Sequence, residues 1–257
     1  MKQILTVLFL LLSLLFSPLA GFSEVREIIC EGEYHMGDSE TPIAAESRAL
    51  LSAKRVAIEQ AGTYVESYSD VRDSQLTADE VKVLASGLME VVVVDKKRSV
   101  IEEGFHFWIK IKARVSPDKM QEMIKKAKDK SIVEDYKELH EAYEKSLSEI
   151  AEFKKQLATS KNKIEKHKVV TKIAHKEKQL RAHMTFEEGL KHSLHDEHDK
   201  AIEAYTATLE LEPEYNDAYH NRGTAYHKKG HHDNARDDFK KACDLGEKYA
   251  CENLKKL

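Results

Sequence analysis

Residues 218–226 read Ala218-Tyr219-His220-Asn221-Arg222-Gly223-Thr224-Ala225-Tyr226. Small side chains sit among aromatics here, the combination two crossing helices need. Gly and Ala let the backbones approach, and Tyr and Phe fill the gaps that remain. The pattern occurs twice. Gly189, Ala201 and Tyr205 precede Gly223, Ala235 and Phe239 by about 34 residues. Pro213, between the copies, ends a helix because it lacks an N–H and clashes with the preceding turn.

This spacing resembles the tetratricopeptide (TPR) repeat, with Tyr219 and Tyr226 in the aromatic positions of its first helix. The first copy departs from the pattern, with Thr185 and His192 where aromatics are usual. Lys248 to Leu257 is expected to form a final capping helix, so residues 184–257 read as two repeats plus a cap. That array is short, since about three repeats are usually needed for stability. The preceding helix therefore serves as an extra end-cap, or dimerisation supplies further repeats. The resemblance implies a groove that holds an extended or helical peptide, lined from the first helix of each repeat. Here that helix face would carry Lys191, Asn221, Thr224, Ala225 and Lys228, with Asn221 and Arg222 the best candidates for polar contacts. Cysteine-rich relatives of these repeats bridge cysteines eight apart, so the resemblance implies a Cys243–Cys251 disulfide in an oxidising compartment. Cys30 is left over, on the apolar side of an expected strand.

Upstream, residues 117–183 contain no Gly, and no Pro after Pro117. Ile132, Tyr136, Leu139, Tyr143, Leu147, Ile150, Phe153, Leu157 and Ile164 recur mostly three and four apart, a heptad-like seam. The expectation is a long helix or coiled coil. It either pairs with its own copy as a homodimer or folds back at Ser160-Lys161-Asn162, and the missing Gly or Pro there favours the dimer. Lys154 to Lys178 is lysine-rich, either a solvated face or a surface peripheral to a membrane or cell wall, with the solvated face preferred.

Residues 24–116 read as an α+β module of strand, helix, helix, strand, strand. Ile28, Cys30 and Tyr34 share one face of the first strand. Ala45, Ala49, Ala53, Ala57 and Ala61 form a ridge on the first helix, smooth enough to lie close against a sheet. Thr77 caps the second helix. Val91 to Val94 and Phe105 to Val115 form a hairpin turning at Gly104, with Phe107, Ile109 and Ile111 on one face and lysines on the other. Trp108 falls on the cationic face, where lysine stems cover it or a partner contacts it. The stretch Ala53-Lys54-Arg55-Val56-Ala57-Ile58-Glu59-Gln60-Ala61-Gly62-Thr63-Tyr64-Val65-Glu66-Ser67 resembles the N-terminal domain of flagellar assembly protein T. That resemblance implies a small domain of an exported protein, without catalytic residues; it does not imply a flagellar role here, since the rest of the chain departs from that protein.

Residues 1–23 carry the three parts of a secretory signal peptide: Lys2, an apolar run from Ile4 to Phe16, and small residues at Ala20, Gly21 and Ser23. Cleavage places the chain in a periplasm or outside the cell. Forty-one Lys and Arg against 45 Asp and Glu give a net charge of −4, too near balance for a nucleic-acid partner. His192, His195, His198, His231 and His232 read as a solvated face rather than a metal site. Neither a phosphate-binding glycine loop nor a nucleophile elbow occurs, so neither catalysis nor a cofactor is expected. The resulting expectation is a non-catalytic envelope adaptor or scaffold with a protein or peptide partner. The alternatives are a structural coiled-coil homo-oligomer and a His-rich metal-binding protein.

Overall fold

The alternation over Phe105–Val115 puts strand β3 (Gly104–Val115) at the centre of a sheet. β3 pairs antiparallel with β1 (Arg26–Met36), Ile111 opposite Cys30, and with β2 (Met89–Ile101), Ile111 opposite Val93. The structure is a computed structural model that describes residues 25–36, 42–101 and 104–257. The expected leader and the turn residues Glu102 and Glu103 lie outside the described residues. On the inner face Phe107, Ile109, Ile111, Ala113 and Val115 are buried. The outer face carries a cross-strand charge ladder, in which Glu27 meets Lys112 and Arg114 at 3.2 and 2.9 Å and Glu31 meets Lys110 at 3.0 Å.

Helix α1 (Pro42–Glu66) covers the inner face through the alanine ridge, each of whose five members is fully buried. The approach is close enough to need Gly32 on β1. A Cβ there would lie 2.1 Å from the Ala49 carbonyl oxygen and 2.5 Å from the Ala53 nitrogen. A short helix α2 (Ser69–Asp73), not expected from the sequence, precedes α3 (Ala78–Leu88). Thr77 and Glu80 form a reciprocal capping box at the start of α3: the Glu80 N–H donates to Thr77 Oγ1 and the Thr77 N–H to Glu80.

The expected single long helix is three helices. After a 3-10 turn at Pro117–Lys119 come α4 (Met120–Ala127), α5 (Lys130–Thr159) and α6 (Lys163–Leu194). The chain folds back at Ser160-Lys161-Asn162, so the preference for a helix paired with its own copy is corrected. The turn needs no Gly or Pro because Ser160 and Asn162 both take ordinary extended backbone angles. Asn162 Oδ1 accepts the Ile164 N–H at 2.9 Å and Ser160 Oγ donates to Glu165 at 2.8 Å. The apolar seam of α5 is consumed inside the chain by three cores in succession. Ile132 and Tyr136 join the core under the sheet, Leu139, Tyr143 and Leu147 the core of the repeats, and Ile150, Phe153 and Leu157 pack on Val169 and Ile173 of α6.

Helix α6 also runs through the expected boundary at residue 183, its last turns forming the first helix of the first repeat. Its partner is α7 (His198–Leu211); α8 (Asn216–Lys228) and α9 (His232–Asp244) make the second repeat, and α10 (Lys248–Leu254) caps it. The two crossings are built alike. A Cβ on Gly189 would sit 2.3 Å from the Tyr205 ring, and one on Gly223 2.9 Å from the Phe239 ring. Ala201 and Ala235 are fully buried beside them, and Tyr219 and Tyr226 pack on the second core. Pro213 follows the end of α7, exposed. A Cys243–Cys251 disulfide ties α10 to α9, and Cys30 is buried in β1.

Two glycine substitutions separate close approach from helix propensity. Gly32→Ala should cost about 1–3 kcal/mol or more, because α1 must move off the sheet. Gly62→Ala, whose Cβ would meet only Val81 at 3.8 Å, should be neutral or stabilise by up to about 1 kcal/mol. Denaturant unfolding of both variants checks this, and equal losses would contradict it.

Candidate functional site

The resemblance places a groove along the first helices of the repeats: the end of α6, then α8 and α10. In this chain most of that side is covered from within. In the first repeat, Leu194 seats on Gly87 of α3, and Lys126 Nζ donates to the Leu194 carbonyl and to Asp196, both at 2.6 Å. Lys54 of α1 lies 3.7 and 3.1 Å from Glu187 and Glu188, and Tyr143 donates to Glu187 at 3.2 Å. The Glu187 charge is the largest influence holding the Lys54 ammonium above its usual range, and burial works against it. In the second repeat the start of α5 lies across the face. Asn221 Nδ2 donates to Asp135 at 2.8 Å, and the Tyr249 hydroxyl donates to Glu134 at 3.0 Å.

The expected groove residues therefore divide. Asn221 is held by Asp135 and by the Asp217 carbonyl. Arg222, the other expected polar contact, is a staple between helices. Its guanidinium forks onto Asp238 with two bonds of 2.8 Å, donates to Thr206 of the first repeat at 3.0 Å, and lies over the Tyr219 and Tyr226 rings. Lys191 is not in the groove. It lines a separate hollow beside β2 with Leu50, Lys54, Val91 and Val93, because the N-terminal module occupies the space in front of the first repeat. Asn221, Thr224, Ala225 and Lys228 do come together, on the wall of a cleft of 350 Å³ between α8, α10, the end of α6 and the first turn of α5.

That cleft also gathers Lys130, His220, Tyr249, Asn253 and Lys256, which the sequence reading missed, and His198, which it read as part of a solvated face. Among the described residues, the ammonium groups of Lys130, Lys228 and Lys256 take no hydrogen bond or ion pair. His220 stacks on Tyr249 and shares a hydrogen bond of 3.1 Å with Asn253; burial lowers its pKa, favouring the neutral ring. Nothing in the local pattern around Lys130 signals this role, which depends on α5 folding across the repeats. Phe186 was likewise passed over. It is fully buried against Tyr205 and Tyr215 and supplies the bulk that Thr185 lacks, while Thr185 shares a hydrogen bond with Thr208 at 2.9 Å.

Behind the cleft lies an acidic cluster. Burial pushes the Asp135 carboxyl well above the usual range, and Asp217, Glu247 and Glu138 push the same way. Asp217 is raised to about 7, by burial first and then by Glu138 and Glu247. The histidines do not converge. His192 bonds Glu197 at 2.6 Å, His198 lines the cleft, and His232 faces His227. No group of three His, Cys, Asp or Glu placed to hold a metal occurs among the described residues. Trp108 is half-buried on the outer sheet face, where Nε1 donates to Glu31 at 3.1 Å and Lys97 Nζ lies 4.8 Å from the ring centroid.

With this geometry in place, two family models match the chain. One, a TPR repeat, covers residues 196–230; the other, a tetratricopeptide repeat, covers residues 217–249. No curated protein matches the chain. Residues 196–249 are thus tetratricopeptide repeats, a fold whose common use is protein–protein interaction.

The acidic cluster makes stability depend on pH. Asp217 is raised in the folded chain, so between about pH 4 and 7 the unfolded chain loses this proton while the folded chain keeps it. Stability is therefore fullest below that window and falls as pH rises through it. Asp217→Asn should flatten this slope and stabilise by about 1–2 kcal/mol at pH 8, with little change at pH 4. Thermal unfolding across pH measures it, and an unchanged slope would remove Asp217 as the source.

Proposed function

We propose that this chain is an exported, non-catalytic adaptor of the bacterial envelope that captures a segment of a partner protein in the cleft beside α8. The observation that carries this reading is the pairing of matched repeats with a cleft whose wall holds Thr224, Lys228 and Lys256. Peptide carbonyls and carboxylates suit the lysines of this wall, and Asp129 and Glu252 beside them suit peptide N–H groups. Apolar contact comes from Ile132, half-buried in the same cleft.

Export is supported by the leader-like pattern of residues 1–23 and by the Cys243–Cys251 disulfide, which an oxidising compartment preserves. The resemblance of residues 24–116 to the N-terminal domain of flagellar assembly protein T points the same way. In this proposal the N-terminal module is a structural backing. It closes the first repeat and leaves the second repeat and its cap to bind.

The test is a crosslinking pulldown from intact envelope with the full chain and with Lys228→Glu/Lys256→Glu. Truncation near residue 183 would cut α6 mid-helix and expose Leu139, Tyr143 and Leu180, so paired surface changes are the cleaner probe. The wild-type chain should recover a particular protein that the double variant loses by tenfold or more, on the order expected for two interfacial charges. Recovery of the same protein by both forms overturns the cleft. Recovery only of further copies of this chain overturns the adaptor reading.

A further inference from the structure

The hairpin of α5 and α6 carries a second surface at its far end. Between Lys154 and Lys178 there are nine lysines and two glutamates, a net of +7 in a chain whose overall charge is −4. The hairpin is anchored to the N-terminal module at its inner margin. Lys154 donates to the Tyr34 hydroxyl at 2.6 Å, and Glu177 lies 3.8 Å from Arg48. Its apolar cluster, Ile150, Phe153, Leu157, Val169 and Ile173, is drawn, among the described residues, from α5 and α6 alone.

Among the described residues, Lys155, Lys161, Lys163, Lys166 and Lys168 are exposed, and their ammonium groups take no hydrogen bond or ion pair. Ile164 stands among them, 69% exposed, although it continues the seam that the rest of the hairpin buries. The helical repeat explains its orientation. Val169 and Ile173 point to α5, and Ile164 and Lys168, one turn apart, point to the opposite side.

We infer that this tip is a docking surface for an anionic phospholipid membrane. Five lysines without acidic partners are drawn to a negative bilayer surface. The apolar side chain at their centre reaches the headgroup boundary when the lysines seat. A soluble polyanion would satisfy the lysines but leave Ile164 in water, so the combination favours the bilayer. The long helix α5 has 30 residues, which at about 1.5 Å per residue gives roughly 45 Å between the repeat cleft at its start and this tip at its end. A chain seated by the tip would hold the cleft away from the lipid.

The experiment is sedimentation of the full chain with vesicles of mixed phosphatidylglycerol and phosphatidylethanolamine, beside vesicles of phosphatidylcholine alone. Binding to the first, not the second, and loss of binding as salt rises are expected. Replacing Lys161, Lys163, Lys166 and Lys168 by Gln should weaken it by about a hundredfold or more. Ile164→Asp should weaken it further while leaving the circular dichroism and melting of the chain unchanged. Failure of the wild-type chain to bind, or equal binding by the four-lysine variant, overturns the assignment. So does equal binding to phosphatidylcholine. Double-stranded DNA or heparin bound through the same lysines, with anionic vesicles unable to compete, reassigns the tip to a soluble polyanion and also overturns it. None of these readouts uses the repeat cleft, so the two surfaces fail or stand separately.

Discussion

Helix α6 has to satisfy two interfaces along one axis, and the rest of the structure follows from that constraint. Its first half closes a hairpin against α5 through Val169 and Ile173, and its last turns are the first helix of a repeat, with Phe186, Gly189 and Leu190 buried against α7. An unbroken hydrogen-bonded helix transmits orientation, so the repeats cannot turn relative to the hairpin without bending it. The N-terminal module is locked to the same helix at its middle and at its C-terminal end. Leu194 is clamped against Gly87, and Glu177 meets the buried Arg48. A two-repeat array, too short to bury its own ends, thereby gains a core on one side and a disulfide-tied cap on the other.

Charge specifies this arrangement more than it stabilises it. The Arg48, Glu177, Tyr34 and Lys154 cluster and the Lys54 contacts with Glu187 and Glu188 lie where α1 meets the hairpin. Apolar residues of equal volume there could bind as strongly, but they would allow the hairpin to slide along α1. Shifting α6 by one turn would strand Glu177 and Glu187 without partners in a dry joint, which is costly for a charge. The alanine ridge on the opposite face of α1 has the reverse character. Its alanine side chains make no directional bond, and Gly32 opposite them lets the helix come this near the sheet.

Features set by neighbours in the chain were legible. The alanine ridge, the alternation along β3, the Thr77 cap and the paired Gly–aromatic crossings of the repeats each depend on residue type at a fixed helical or strand spacing. The Cys243–Cys251 bridge was legible for a different reason, since the repeat resemblance carried it. What escaped depends on contacts between distant segments. The turn at Ser160-Lys161-Asn162 is made by side-chain caps in an extended backbone, so the punctuation sought in Gly or Pro was the wrong signal. Asn221 and Arg222 have the composition of ligand contacts, but Asp135, 86 residues away, and Asp238, 16 away, claim them.

The same long-range contacts limit what the groove can take. With the first repeat backed by α1 and α3 and the second crossed by Asp135 and Glu134, a partner helix laid along both repeats would have to displace α5 and leave Asp135 without its amide. Burial keeps the Asp135 carboxyl biased toward its neutral form, in which it loses little by staying inside; exposing it beside Asp217, Glu138 and Glu247 would add charge repulsion to any open state. The closed arrangement is therefore self-consistent. A segment that enters must be short and reach in from the α10 side, where Lys228, Asn253 and Lys256 present polar groups and the wall beyond them is already filled by the chain itself.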